Sequence, residues 1–186
     1  MTLFEKYNSD KPSENNHLLL SSLVIRSAII TDSHTLAEIL NAREPGDLAQ
    51  IIKNFQDEIS SLDSSGRLLL VAEYNSQVIG YARAVYFMRS ASSNSRNCPE
   101  GWYLNGVIIE PKYRRNGVAS ILIKSRLDWI VKRANKAYYF ANARNRVSIE
   151  MHEKFAFKEL TRDFVYPGVT FEGGEGILFE IDLTTK

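Results

Sequence analysis

Apolar residues at Leu48, Ile51, Ile52, Phe55, Ile59 and Leu62 recur at i, i+3, i+4, i+7, i+11 and i+14, which is one face of a helix. Pro45-Gly46-Asp47 restarts the chain ahead of it. The pattern then changes. Leu68–Tyr74 and Val78–Met88 are apolar, β-branched or aromatic runs about the turn Asn75-Ser76-Gln77, and they predict a hairpin. Residues 89–101 are rich in Ser and Asn, with Pro99 and Gly101, and predict a loop. Trp102–Ile109 predicts a strand that Pro111 stops, and a helix opens near Gly117 and runs to about Ala134. Tyr138–Ala141 predicts a short strand and Arg146–Phe155 a helix. Phe157–Val165 and Ile177–Leu183 predict strands, parted by a loop with Pro167, Gly168, Gly173, Gly174 and Gly176. Upstream, Leu23–Ser27 reads as a strand, and Thr31-Asp32-Ser33 caps a short helix to about Asn41.

The resulting order is β-α-α-β-β-β-α-β-α-β-β, with no internal repeat and no interdomain linker. It predicts an α/β (α+β) fold, a mixed and mostly antiparallel sheet of about six to seven strands flanked by about four helices. A length of 186 residues fits one domain. Residues 1–21 read as a flexible polar arm and 22–186 as a single domain. The start lacks the basic opening and unbroken apolar core of a signal peptide. The run Leu18–Ile30 is broken by Ser21, Ser22, Arg26 and Ser27 and is shorter than the ~20 residues of a membrane span, so no membrane partner is expected.

Composition narrows the class. At 44% apolar and 24% charged, the chain is an ordinary soluble globular protein. Its one cysteine, Cys98, forms neither an internal disulfide nor a cysteine-based zinc site, which fits a reducing, cytoplasmic setting; no metal site is expected. The net charge of +1 conceals a division: Lys112–Arg146 carries +9 and the rest of the chain −8. A basic stretch favours a polyanion. Ile121, Leu122, Leu127 and Ile130 interleave it as one face of a packed helix, and no base-stacking platform is present, so nucleic acid is not the expected partner.

The chemistry concentrates in Val107-Ile108-Ile109-Glu110-Pro111-Lys112-Tyr113-Arg114-Arg115-Asn116-Gly117-Val118-Ala119. A buried strand ends, a short basic turn follows, and small residues open a long helix. The first backbone N–H groups of a helix lack internal partners and attract anions. Gly117 and Ala119 remove side-chain bulk, and Arg114 and Arg115 add charged donors. No Gly-Lys-Ser/Thr follows and no GxGxxG occurs, so this is not a nucleotide-triphosphate loop.

The string Ile109-Glu110-Pro111 followed by Arg114-Arg115-Asn116-Gly117-Val118-Ala119 resembles the acetyl-CoA-binding motif of the GNAT superfamily of N-acetyltransferases. A second motif of that family, Asn-x-x-Ala/Ser-x-x-apolar-Tyr-Glu-Lys-x-Gly-Phe, is matched by Asn145–Phe157. The resemblance covers roughly residues 22–183 and implies a GNAT-like fold with acetyl-CoA as acetyl donor. It further implies that the pantetheine arm pairs with the backbone of Val107 and Ile109. The pyrophosphate would rest on the amides from Arg115 through Asn116, Gly117 and Val118 to Ala119. An amine would attack the thioester directly, without a covalent enzyme intermediate.

The sequence departs from the second motif at two places: His152 stands where the family has its Tyr, and Ala156 where it has Gly. Asn145, Ser148 and His152 share one helical stripe suited to a cofactor cleft. Val147, Met151 and Phe155 form the neighbouring apolar stripe expected to pack on the sheet. The family Tyr protonates the leaving thiolate. His152, with an ordinary pKa of about 6.5 against about 8.5 for a thiol, is a stronger acid when protonated and a hydrogen-bond donor when neutral. The base that takes the amine's proton is left open among Tyr103 and Asn105 on the central strand, Glu73, Glu175, and a water chain. The loop from Phe164 to Gly176 holds Glu172, Glu175 and three aromatics, and with Trp102 it suits a small cationic amine (polyamine, amino sugar or amino acid), with a protein N-terminus or Lys side chain also open. A homodimer is an assembly open to such a chain, and a non-catalytic acyl-CoA-binding module is the competing reading.

Overall fold

The computed structural model describes residues 20–62, 66–89, 94–171 and 173–184; most of the expected arm, and Glu172, lie outside these. Strand β1 (Val24–Ser27) leads through a 3-10 turn at Ile30–Asp32 into α1 (Ser33–Arg43) and α2 (Leu48–Ser60). Strands β2 (Arg67–Tyr74), β3 (Gln77–Phe87) and β4 (Gly101–Ile109) follow. A 3-10 turn at Pro111–Tyr113 precedes α3 (Val118–Ile130), then β5 (Lys136–Asn142), α4 (Arg146–Glu153), β6 (Lys158–Thr161) and β7 (Gly176–Asp182). The seven strands form one sheet in the order β1-β2-β3-β4-β5-β7-β6. β1 is antiparallel to β2, and β7 is antiparallel to both β5 and β6, whereas β4 and β5 are parallel. The mostly antiparallel α/β architecture therefore holds.

Local chemistry explains several elements. Asn75 and Ser76 have φ of 50° and 61°, the left-handed pair of a tight hairpin turn. The Asp47 carboxylate accepts from the amides of Ala49 and Gln50 and caps α2.

Cα packing divides the chain into two compact units, Met1–Ala84 with Gly106–Arg126, and Val85–Asn105 with Leu127–Lys186. The divisions fall inside β3, β4 and α3, not at a linker. In the first unit the amphipathic stripe of α2 packs with Leu36, Leu69, Val71, Tyr81 and Ile108. Gly80 is required here, because a Cβ would lie 2.7 Å from the Ile108 carbonyl oxygen. Arg83 forms a two-pronged ion pair with Glu58 (2.9 and 3.0 Å), and its guanidinium lies over the rings of Phe55 and Tyr81. Burial works to lower the Arg83 pKa, but the Glu58 carboxylate outweighs it, so the net shift is upward.

In the second unit Phe87, Cys98, Tyr103, Tyr138, Phe164 and Leu178 form a core that Phe140, Tyr166 and Phe171 cover. Two expectations are corrected. The stripe of α4 that packs on the sheet is not Val147, Met151 and Phe155: Val147 is 48% exposed, and the residues buried are Ile149 and His152. The strand expected over Phe157–Val165 keeps only Lys158–Thr161, because its register with β7 slips between Glu159 and Thr161, and Val165 bridges to Arg96 instead.

Candidate active site

Strand β4 is central in the sheet, yet its burial breaks in the middle. Gly101–Leu104 and Ile108–Ile109 are buried, whereas Asn105 and Val107 are half-buried and Gly106 is exposed. Gly106 has φ +44°, and a Cβ built there would meet no atom within 4 Å. A strand interior that turns left-handed and open marks a place where another backbone or ligand can approach. The parallel ladder between β4 and β5 registers two pairs, Trp102↔Ala137 and Tyr103↔Tyr138. Tyr139 is thus the first β5 residue past its end.

In the first unit, β4 continues into the basic turn. Arg114 Nε donates to the Ile109 carbonyl at 2.9 Å, and Asn116 Nδ2 donates to the Arg114 carbonyl at 3.1 Å. These bonds fold the segment back on its own backbone. Arg115 and Gly117 take φ of 65° and 81°, so the chain enters α3 through a left-handed turn that only Gly adopts without strain. Val118 is buried and anchors the helix, while Ala119 is half-buried. The opening amides of α3 and the exposed Arg115 therefore present a positive end to solvent.

In the second unit, Asn145 caps α4: its Oδ1 accepts from the Ser148 amide at 3.2 Å. The Ser148 carbonyl in turn accepts from His152 Nδ1 at 2.8 Å. The imidazole is 5% exposed and lies face to face with Tyr139, centroids 3.8 Å apart and planes 12° from parallel. Phe157 meets both rings edge-on, and Phe179 stacks on Tyr139 at 4.6 Å. The Tyr139 hydroxyl is buried without a hydrogen-bond partner, and burial pushes its pKa well above the phenol range, with the Glu153 charge adding to the shift.

An open central strand thus leads into a basic helix start. The family model described as "Acetyltransferase (GNAT) family" matches residues 33–157. The chain belongs to the GNAT family of acetyltransferases. No curated protein matches it in sequence. Solved structures share the fold. One is YncA from Salmonella typhimurium with its cofactor acetyl-CoA (17% identity, TM-score 0.65, covering 89% of this chain and 96% of that one). Another is the ribosomal-protein-alanine N-acetyltransferase from Brucella melitensis (20%, 0.65, 86% and 99%). A third is mutant forms of the spermidine/spermine N-acetyltransferase SpeG from Vibrio cholerae (17%, 0.65, 88% and 95%).

Tyr103 is fully buried, its hydroxyl donates to the Pro99 carbonyl at 2.8 Å, and burial raises its pKa beyond the usual phenol range. Trp102, its neighbour on the strand, points to the opposite face and packs between Tyr86 and Trp129. Glu175 pairs with Arg162 at 3.0 Å, and Glu73 takes a bond from Arg26 at 2.8 Å, so both carboxylates already hold a cation. Glu172 lies outside the described residues. Two residues escaped the sequence reading. Gly106 carried a signal, a glycine inside a strand pattern. Tyr139 carried none, because only the tertiary fold lays it on His152.

Proposed function

We propose that this GNAT-family protein transfers an acetyl group from acetyl-CoA to a primary amine by direct attack in a ternary complex, with residues 22–186 acting as one catalytic domain. The observation that carries the reading is the open interior of β4 at Gly106, next to the backbone that would pair with a pantetheine arm. Val107 and Ile109 supply that pairing; the Ile109 carbonyl shares its acceptor capacity with Arg114. Pyrophosphate rests on the amides from Arg115 to Ala119, where the left-handed Gly117 leaves room and charge-assisted donors stand nearby. Asn145 and Ser148 hold the start of α4, and Ser148 positions His152.

His152 takes the place of the family tyrosine at the departing sulfur. Tyr103, with its hydroxyl committed to Pro99, serves as the floor of the acceptor side more readily than as a proton donor. A small-molecule amine is the preferred acceptor, bordered by the aromatic residues Tyr166 and Phe171 of the last loop, which pack on Phe87, Tyr103 and Phe140. Because Glu175 is neutralised by Arg162, its attraction for a polycation is weakened. Incubating the protein with acetyl-CoA and a panel of amines, with free CoA detected, tests the reading. Transfer to at least one amine is expected. Tight acetyl-CoA binding with no transfer to any amine would assign the fold to a non-catalytic acyl-CoA-binding module.

A further inference from the structure

Beside the stripe of Asn145, Ser148 and His152, α4 carries a second one with the same i, i+3, i+7 spacing: Arg146, Ile149 and Glu153. This second stripe and strands β6 and β7 line a cavity of about 610 Å³, built wholly within the second unit. Its floor is buried and apolar: Ile149, Phe157, Ile177 and Phe179. Leu178 sits in the aromatic core with Tyr103 and Phe164, so strand alternation turns Ile177 and Phe179 to the other face of β7. The cavity therefore lies on the opposite side of that strand from Tyr166 and Phe171, which cover the core. No step of the transfer proposed above uses it.

The rim is charged, and the charges are unevenly placed. At one end the Ala143 amide donates to the Glu175 carbonyl at 3.0 Å, tying the start of β7 to the connection between β5 and α4. Arg162, just past β6, holds the Glu159 carboxylate at 2.7 Å and the Glu175 carboxylate at 3.0 Å at once. Arg144 and Arg146 stand at this same end, and no carboxylate of the described residues holds either of them. Arg144 rests on the backbone at Gly173, where a Cβ would come 2.8 Å from its Cζ, so the loop keeps a glycine beneath the guanidinium. Arg146 and Glu153 are two helical turns apart, about 10 Å along the axis. At that far end Glu153 and Lys158 are opposite in sign and offset one another. The result is an apolar floor with one cationic end.

Ligand cavities have this composition, a mostly apolar lining with a few polar groups that fix orientation. We propose that the cavity is a second binding site, apart from the donor and acceptor sites, for a small monocarboxylate with an apolar body. Arg144 and Arg146 hold the carboxylate, and Ile149, Phe157, Ile177 and Phe179 receive the body. A carboxylate meets a planar guanidinium through two parallel hydrogen bonds. A phosphate monoester carries a charge of about −1.5 to −2 at pH 7 and is repelled more strongly by the neighbouring Glu159 and Glu175. Inorganic phosphate leaves the floor wet and gains nothing from it. The assignment does not depend on the acetyltransferase reading, because it concerns a cavity that the transfer does not enter.

The test is a titration of the full chain, by calorimetry and 15N amide spectra, with phenylpropionate, phenylpropanol, phenyl phosphate and inorganic phosphate. Phenylpropionate is expected to bind with a Kd of about 1 mM or tighter and to shift the amides of residues 143–149 and 176–179. Absence of binding, or shifts confined to other segments, overturns the proposal. The other three probes are expected to bind at least about 10-fold more weakly. An alcohol that binds equally well takes the arginines out of the site, and either phosphate binding as tightly refutes the carboxylate as its head group. Arg144 and Arg146 are exposed, so Arg144→Ala and Arg146→Ala leave the fold intact, which a thermal melt checks. Each is expected to raise the phenylpropionate Kd by about 10-fold; an unchanged Kd in both refutes the site. Saturating CoA, its own binding read in the same titration, is expected to leave that Kd within about twofold. Displacement by CoA places the probe in the donor cleft and overturns a separate site. Failure of CoA itself to bind counts against the acetyltransferase reading and leaves this one standing on its own probes.

Discussion

Gly106→Ala separates the cost to the fold from the cost to the donor. The glycine sits at φ +44° with no atom within 4 Å of the position a Cβ would take. An alanine there clashes with nothing in the free protein and incurs only the left-handed backbone penalty, about 1 kcal/mol. For a chain of this size that lowers Tm by about 2–4 °C. If the pantetheine arm runs along β4, the new methyl group pushes it off the strand and weakens two backbone hydrogen bonds of about 1 kcal/mol each. The expected loss is ~2 kcal/mol, or about 30-fold in Kd. Calorimetric titration with CoA, beside a thermal melt of the same sample, reads both quantities. A Kd within about threefold of wild type, with the small Tm drop still present, would refute the placement of the donor on this strand.

Other outcomes follow from the same geometry. Ala156, just past α4, takes φ +68°, so Ala156→Gly is expected to stabilise the chain by about 0.5–1 kcal/mol in denaturant unfolding, the strain relieved being offset in part by glycine's entropy. Glu58→Ala strands the Arg83 guanidinium over Phe55 and Tyr81 and is expected to cost ~3 kcal/mol in the same assay. At Asp32 burial works to raise the pKa, but the bonds from Arg26 and the Ile29 amide together prevail and lower it. Its contribution is therefore complete above the unfolded value near pH 4 and is lost as pH falls through the lower folded value. Asp32→Asn is expected to destabilise at neutral pH and to flatten the fall in stability between pH 5 and 3, measured by denaturant midpoints.

Periodicity made much of the fold legible. The Leu48–Leu62 stripe, the Asn75-Ser76 turn and the Pro111 stop are local signals, and each matches an element of the structure. The basic turn from Arg114 to Ala119 was legible for the same reason, since its glycine and arginines act on neighbouring backbone. The face of α4 was not. Val147, Met151 and Phe155 form an unbroken apolar stripe, whereas the buried stripe joins apolar Ile149 to polar His152; the imidazole is buried because Tyr139, contributed by another element, offers it a ring. The pairing of Glu175 with Arg162 was likewise not legible, because Arg162 reaches it only once β6 and β7 pair. Trp102 and Tyr103 are adjacent in sequence and opposed in space, as strand alternation requires, so each packs with a different set of rings.

The open, left-handed Gly106 inside β4 has a consequence for the protein before any donor binds. The exposed stretch of β4 about Gly106 forms a seam of the kind that proteins otherwise confine to the borders of a sheet. An extended segment of another chain could add itself there by β-augmentation. A donor that runs along the seam would act as a folding ligand as well as a reactant. It would cover that stretch and raise Tm with its concentration. The supply of acyl-CoA in the cell would then govern how much of the protein resists aggregation, independently of how fast it turns over.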